Sequence, residues 1–218
     1  MSFELIVFDW DGTLMDSEAR IVACLQAAFA DLGLAEPTRE VARDIIGLGL
    51  EEAMERLLPS GDAALRAELV VGYRRHFLVS DPTPSVLFPG ALEMLDWMTG
   101  QGYRLAVATG KSRQGLDKSL AETGLGRVFH ATRCADETLS KPNPRMLFEL
   151  MDELGAHPDE TLMVGDTEYD LQMASNAGVR SLAVSYGVHS PGRLLTHEPL
   201  ACLDSLRAIQ DWLAEHSG

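Results

Sequence analysis

Lysine and cysteine are both scarce in this chain of 218 residues: there are three lysines, Lys111, Lys118 and Lys141, and three cysteines, Cys24, Cys134 and Cys202. The cysteines are odd in number, widely spaced and free of any C-x-x-C pair, so neither a zinc site nor a disulfide framework is indicated. They read as small buried hydrophobes in a reducing cytosol. No apolar run approaches 18 residues, and no basic segment leads into an apolar one at the start, so the expectation is a cytoplasmic protein that neither spans nor binds a membrane. Positive charge is in deficit: 18 Lys and Arg stand against 33 Asp and Glu, for a net charge of −15. A field of that sign repels phosphate backbones, which argues against nucleic-acid binding. An enzyme of this charge that acts on an anion needs a metal or locally gathered cations. The remaining composition, 46% hydrophobic and 23% charged, is that of a globular protein with one large domain or a core plus an insert.

The most informative stretch is Leu5-Ile6-Val7-Phe8-Asp9-Trp10-Asp11-Gly12-Thr13. A short apolar run ending at a Gly turn reads as a buried parallel strand. Residues i and i+2 share a side of a strand, so Asp9 and Asp11 would face one site at its C-terminal end, with Trp10 turned into the packing. Open α/β sheets bind ligands at that edge. Two carboxylates placed together there need a cation or a shared proton. Taken alone, the pair also reads as solvated turn aspartates.

Further strands are expected over Tyr103–Thr109, His130–Cys134, Thr161–Val164 and Val179–Ser185. The helices expected among and after them are Gly90–Thr99, Ser112–Glu122, Pro142–Leu154, Glu168–Ala177 and Ser205–Glu215. This alternation argues for βαβ units and a parallel sheet. Residues 16–86 break the rhythm. They carry helical patterns (Ile21, Leu25, Ala28, Leu32; Met54, Leu57, Leu58; Leu65, Leu69, Tyr73, Phe77) and return through Asp81-Pro82-Thr83-Pro84, a composition typical of a boundary. The expected organisation is a core of residues 1–15 and 87–218 with a helical domain, 16–86, inserted beside the first strand's C-terminal end.

Three more polar groups fall at predicted strand ends or helix starts. Thr109-Gly110-Lys111-Ser112 follows a strand, and a hydroxyl with helix-start N–H groups forms an anion cradle, although Ser112 equally reads as a plain N-cap. A nucleotide P-loop is rejected, because Leu105 stands where that motif needs Gly. In Ser140-Lys141-Pro142-Asn143-Pro144, Pro142 is expected at a helix N1 position, fixing where Lys141 projects, or else Lys141 is a surface residue. In Gly165-Asp166-Thr167-Glu168-Tyr169-Asp170, Asp166 is expected to cap a helix, with Asp170 one turn later on the same face. Carboxylates at two strand ends suit a hard cation, Mg²⁺ above all.

The order D-x-D-G-T-L, strand-Thr, Lys-Pro, G-D-x-x-x-D resembles the haloacid dehalogenase-like superfamily of aspartate-nucleophile phosphatases, over nearly the whole chain. The resemblance implies an α/β fold, a Rossmann-like parallel sheet core with an inserted helical cap. It implies Asp9 as nucleophile, Asp11 as general acid and then base, and Gly12, Thr109, Gly110 and Lys141 as phosphoryl-binding groups. Asp9, the Asp11 main-chain carbonyl and Asp166 would ligate Mg²⁺, with Asp170 orienting Asp166 or Lys141. Dehalogenating members lack the second aspartate, which is present here as Asp11. Phosphonate-cleaving members use a cap lysine, and residues 16–86 contain none.

Phosphoglycolate phosphatase-like members with a small helical cap are the nearest in pattern. Their substrate loop is matched by Ile46-Gly47-Leu48-Gly49-Leu50, and Arg43, Arg56, Arg74 and Arg75 are candidates for reading a second anionic group. Gly47, Leu48, Arg43 and Arg74 are singled out as specificity residues. The expected activity is Mg²⁺-dependent hydrolysis of a small phosphorylated metabolite by a monomer or homodimer. The alternatives are a β-phosphoglucomutase-like or nucleotidase activity, a phospho-aspartate signalling domain, or a catalytically silent interaction protein.

Overall fold

The structure, a computed structural model, describes residues 3–216. Leu5–Phe8 forms β1, in the middle of a six-stranded sheet. The other strands of that sheet are Arg104–Thr109 (β4), Ala131–Cys134 (β5), Thr161–Gly165 (β6), Arg180–Val184 (β7) and Cys202–Leu203 (β8). The order is β5-β4-β1-β6-β7-β8 and every pairing is parallel. The chain builds outward from β1 in one direction, then returns to add β6 on its other side. The C-terminal ends of β4, β1 and β6 therefore line one crevice at the point where strand order reverses.

The period of two sorts the central strands between two cores. Ile6, Phe8, Leu105, Val107, Leu162 and Val164 face one apolar cluster, and Leu5, Val7, Ala106, Ala108 and Met163 face another. Helices Ala91–Gly100 (α5), Arg113–Thr123 (α6) and Leu206–His216 (α10) pack on the first face; Arg145–Leu154 (α7) and Glu168–Asn176 (α8) pack on the second. Trp10 continues the Phe8 face and is fully buried in the first cluster. Among the described residues no helix is long and apolar enough to cross a membrane.

Residues 18–80 form Glu18–Asp31 (α1), Arg39–Asp44 (α2), Leu50–Leu57 (α3) and Ala63–Arg75 (α4), the last running into a π-helical turn at His76–Ser80. These helices enclose an apolar cluster of their own, joined from the sheet side by Tyr169 and Val188. The chain leaves and re-enters through a two-stranded antiparallel ribbon of Met15–Asp16 (β2) and Val86–Leu87 (β3). The ribbon, β8 and the short helix Pro191–Leu195 (α9) are too brief to register as periodicity, and they were not expected.

One expectation is corrected here. The helix predicted from Pro142 begins at Arg145, so Pro142 is not at N1. Pro142 follows a cis peptide bond, and the loop is closed by the Asn143 N–H donating to the Ser140 carbonyl at 3.0 Å. Pro144 takes the N-cap instead, a position where a missing N–H costs no helical bond.

Candidate active site

Asp9 leaves the end of β1 with its N–H still donating to the Val164 carbonyl at 2.9 Å, which ties it to the neighbouring β6. Asp166 follows β6 and Asp170 lies on the first turn of α8. The three side chains are fully buried, and each offers an oxygen within 4.8 Å of the others. Lys141 Nζ stands between two of them, 2.7 Å from Asp9 Oδ1 and 2.6 Å from Asp170 Oδ1. Asp170 Oδ2 accepts from the Thr167 N–H and hydroxyl at 3.1 and 2.7 Å. Thr167 is thus the helix N-cap, and Asp166 is not as expected. Asp166 accepts instead from the Thr13 hydroxyl and the Val188 N–H, both at 2.8 Å. Asp170 is aligned on Lys141 and not on Asp166. Gly12 has φ +87°, and a Cβ there would fall 2.2 Å from Asp166 Oδ2, so a side chain would enter the carboxylate cluster.

Charge here is unbalanced. Three carboxylates and one ammonium leave two negative charges uncompensated when all are ionised. Burial pushes the Asp9 carboxyl well above its usual range; Lys141 opposes this, while Asp170 and Asp166 add to it. Burial and then the charge of Asp170 push Asp166 up to about 7. Burial alone would lower the Lys141 ammonium, but Asp170 and Asp9 hold it above its ordinary value. Asp9 Oδ2 is buried with no hydrogen-bond partner among the described residues. An oxygen-only donor set, an orphaned carboxylate oxygen and a deficit of two charges fit a hard divalent cation such as Mg²⁺. Asp9, Asp166 and Asp170 offer side-chain oxygens to it.

Asp11 faces away from this cluster. Its carboxylate accepts from Lys111 Nζ at 2.8 and 2.9 Å and from the Ser17 hydroxyl at 2.5 Å. Only its main-chain carbonyl is left for a metal. Lys111 also lies over the Phe77 ring of the insert, 4.4 Å from its centroid. Neither Lys111 nor Ser17 was assigned a role on Asp11 from sequence. The available signal was that Lys111, one of three lysines, stands two residues beyond Thr109. Thr109 ends β4 fully buried, and its hydroxyl oxygen accepts from the Lys111 N–H at 3.2 Å, leaving the hydroxyl proton to donate. Ser112 caps α6 by accepting from the Gly115 N–H at 3.3 Å.

The insert roofs these groups. A Cβ on Gly110 would lie 2.3 Å from the Leu48 carbonyl oxygen, so the loop at Gly47-Leu48 sits directly on the loop after β4. The Gly49 N–H donates to the Ser140 hydroxyl at 2.7 Å, touching the loop that carries Lys141. Between roof and floor lies a cavity that opens to solvent, lined by Asp9, Asp11, Thr109 and Lys111 from the core and by Ile46, Leu48, Tyr73 and Arg74 from the insert.

The four arginines proposed for substrate reading separate clearly. Arg43 donates to the Val188 carbonyl and pairs with Glu18, Arg56 bonds the Tyr169 hydroxyl, and Arg75 pairs with Asp31. None of these three lines the cavity; Arg74 does.

The sequence profile of the haloacid dehalogenase-like hydrolase family matches residues 6–184. A protein of Dickeya dadantii (strain 3937) named "Probable phosphatase IndB" is 37% identical over 210 residues, covering 94% of this chain and 91% of its own. A phosphoglycolate phosphatase of Agrobacterium fabrum is 31% identical over 216 residues, covering 97% and 92%. The solved structure of a "Putative haloacid dehalogenase-like hydrolase" from Bacteroides fragilis superposes with a TM-score of 0.90 at 26% identity, covering 95% of this chain and all of that one.

Proposed function

The chain belongs to the haloacid dehalogenase-like hydrolases and is a phosphatase among them, and from that premise we propose a Mg²⁺-dependent phosphomonoesterase that works through an aspartyl-phosphate on a small phosphorylated metabolite. Residues 1–15 and 87–218 are its catalytic core and 16–86 its cap. The observation that carries this reading is the contrast between the two aspartates. Asp9 is buried beside Lys141 and keeps an unpartnered oxygen, while Asp11, two residues on, is held by Lys111 and Ser17 on the cavity side.

In the reaction, an Asp9 carboxylate oxygen attacks phosphorus. The bond from phosphorus to the leaving oxygen breaks as Asp11 delivers a proton to that oxygen. Water then attacks the phosphoryl group, giving its proton to Asp11, and the Asp9–phosphorus bond breaks to release inorganic phosphate. Lys141 balances charge on Asp9, the Thr109 hydroxyl and the Gly110 backbone position the transferring oxygens, and Lys111 fixes the direction of the Asp11 carboxylate. Bound Mg²⁺ supplies the charge neutralisation that three buried carboxylates and an incoming phosphate require. Phosphoglycolate, the substrate in the name of the Agrobacterium relative, is the first ester to test.

The deciding experiment measures phosphate release from an aryl phosphate by the wild type and by Asp9→Asn, with Mg²⁺ and after EDTA. The expected result is loss of turnover in the folded variant and a loss after EDTA that Mg²⁺ reverses. Substantial turnover by Asp9→Asn would remove Asp9 from the mechanism.

A further inference from the structure

The cavity roof has a composition that a two-carbon substrate does not use. Its lining from the insert is aliphatic and aromatic, with Ile21, Leu25, Ile45, Leu48 and Phe77 among the contributors. Tyr73 and Phe77 stack at 5.6 Å with an interplanar angle of 20°, forming an aromatic wall. Two polar groups interrupt this surface. Arg74 lines the cavity, its Nε is buried without an acceptor, and it makes no ion pair with any described residue. Tyr73 lines the same space, and its hydroxyl makes no hydrogen bond to a described residue. Burial, together with the nearby charge of Asp11, raises the Tyr73 phenol well above its ordinary value, so it stays a donor.

A buried guanidinium nitrogen without an acceptor is costly unless a ligand satisfies it. Apolar lining likewise contributes only when apolar surface covers it. Glycolate offers only two carbons to this apolar lining.

Resting on the phosphatase reading above, we propose that the preferred substrate is a phosphomonoester whose leaving group is ring-sized, less polar than glycolate, and tipped with an acceptor oxygen that Arg74 and Tyr73 hold. Tyr73 and Arg74 are then specificity residues. The floor recognises the phosphate and the roof selects what is attached to it.

The test compares kcat/KM for benzyl phosphate, 4-carboxybenzyl phosphate and 2-phosphoglycolate in Mg²⁺. All three release an alkoxide-type leaving group, so differences among them report the roof more than intrinsic reactivity. The expected order places 4-carboxybenzyl phosphate about tenfold or more above each of the others, the scale of one buried charge-assisted contact. In Arg74→Gln the ratio of carboxybenzyl to benzyl ester should fall close to one; being a ratio within one protein, it is insensitive to the folded fraction. Preference for phosphoglycolate over both benzyl esters, or a ratio that survives in Arg74→Gln, overturns the proposal. Binding of the corresponding benzylphosphonates, measured by calorimetry on wild type and Arg74→Gln, separates the two readings. If no ester is hydrolysed yet the carboxyl group tightens wild-type binding alone, the roof assignment stands and the phosphatase mechanism falls. Hydrolysis with no such difference in binding has the opposite meaning.

Discussion

Floor and roof of one cavity are built on opposite principles. On the floor, the charged groups Asp9, Asp11, Asp166, Asp170, Lys111 and Lys141 are buried, and nearly every oxygen and ammonium has a named partner. On the roof, aliphatic and aromatic side chains dominate, and the buried Nε of Arg74 has no partner among the described residues. The difference separates two tasks. A group that must attack phosphorus or move a proton has to be fixed in place before substrate arrives, and a second set of bonds does that. A surface that chooses among leaving groups has to keep its contacts free for the ligand.

Several substitutions would break or sharpen this contrast. The largest effect is expected from Lys141→Met, which leaves Asp9 and Asp170 facing each other without their shared ammonium. Removing one partner of a buried pair costs about 3–5 kcal/mol, so urea denaturation in EDTA should show a loss of that size, with turnover reduced beyond about a thousandfold. Unchanged stability would mean that the floor does not depend on its internal pairing.

Next, Lys111→Met frees Asp11 and should lower kcat by about a hundredfold, the scale of general acid–base catalysis, with little change in KM. Leu48→Ala on the roof should raise KM more than it lowers kcat. Steady-state kinetics of the pair decides whether floor and roof divide kcat from KM; a shared pattern would erase the distinction.

pH should act through the floor. Asp166 is pushed up to about 7 in the folded state against an ordinary value of 3.8. Between those values the folded chain holds a proton that the unfolded chain has lost, so metal-free stability falls as pH rises through that window. Thermal unfolding in EDTA should therefore show a declining Tm from about pH 4 to pH 7, and Mg²⁺ should recover most at the upper end. A Tm that climbs over this range without metal would contradict the buried-carboxylate picture.

The smallest effect is expected at the rim. Arg193 joins Glu168 at 2.6 Å and also pairs with Asp44 of the insert, but its side chain is a third exposed. Arg193→Met should change stability by less than about 1 kcal/mol and kcat by less than about twofold. A larger loss would mean that the rim contact, and not the apolar roof, holds the insert down.

What the sequence disclosed follows the same division. Asp9, Asp11, Thr109 and Asp166 lie at the end of a buried strand or within three residues beyond it, where the period of two and a closing Gly turn fix position along the chain. The sheet and most of its helices were legible for the same reason. Pro142 misled because an X-Pro before an apolar periodic run reads as a helix start, while the loop 140–144 closes on itself first. The bond from Lys111 to Asp11 spans 100 positions in the chain, and no local pattern encodes it.

The roof was less legible because inward-facing residues of a cap look like any helical core. Of Arg43 and Arg74, the two singled out from the sequence, Arg74 is the one that lines the cavity. The stripe Leu69, Tyr73, Phe77 faces inward, and Arg74, one position from Tyr73, flanks it, whereas Arg75 turns a further 100° or so toward solvent. Arg43 was the weaker choice, since its contacts come from Glu18 and from Val188 far along the chain.

The two chain crossings between core and insert are hydrogen-bonded to each other, Met15 opposite Leu87 and Asp16 opposite Val86. Both chain crossings thus reach the insert through one narrow ribbon and not through two separate points. Leu48, which sits on Gly110, and Phe77, which lies under Lys111, both belong to the insert that this ribbon joins to the core. The cover over the loop after β4 and the cover over Lys111 are thus parts of one apolar body, tied to the core at one place.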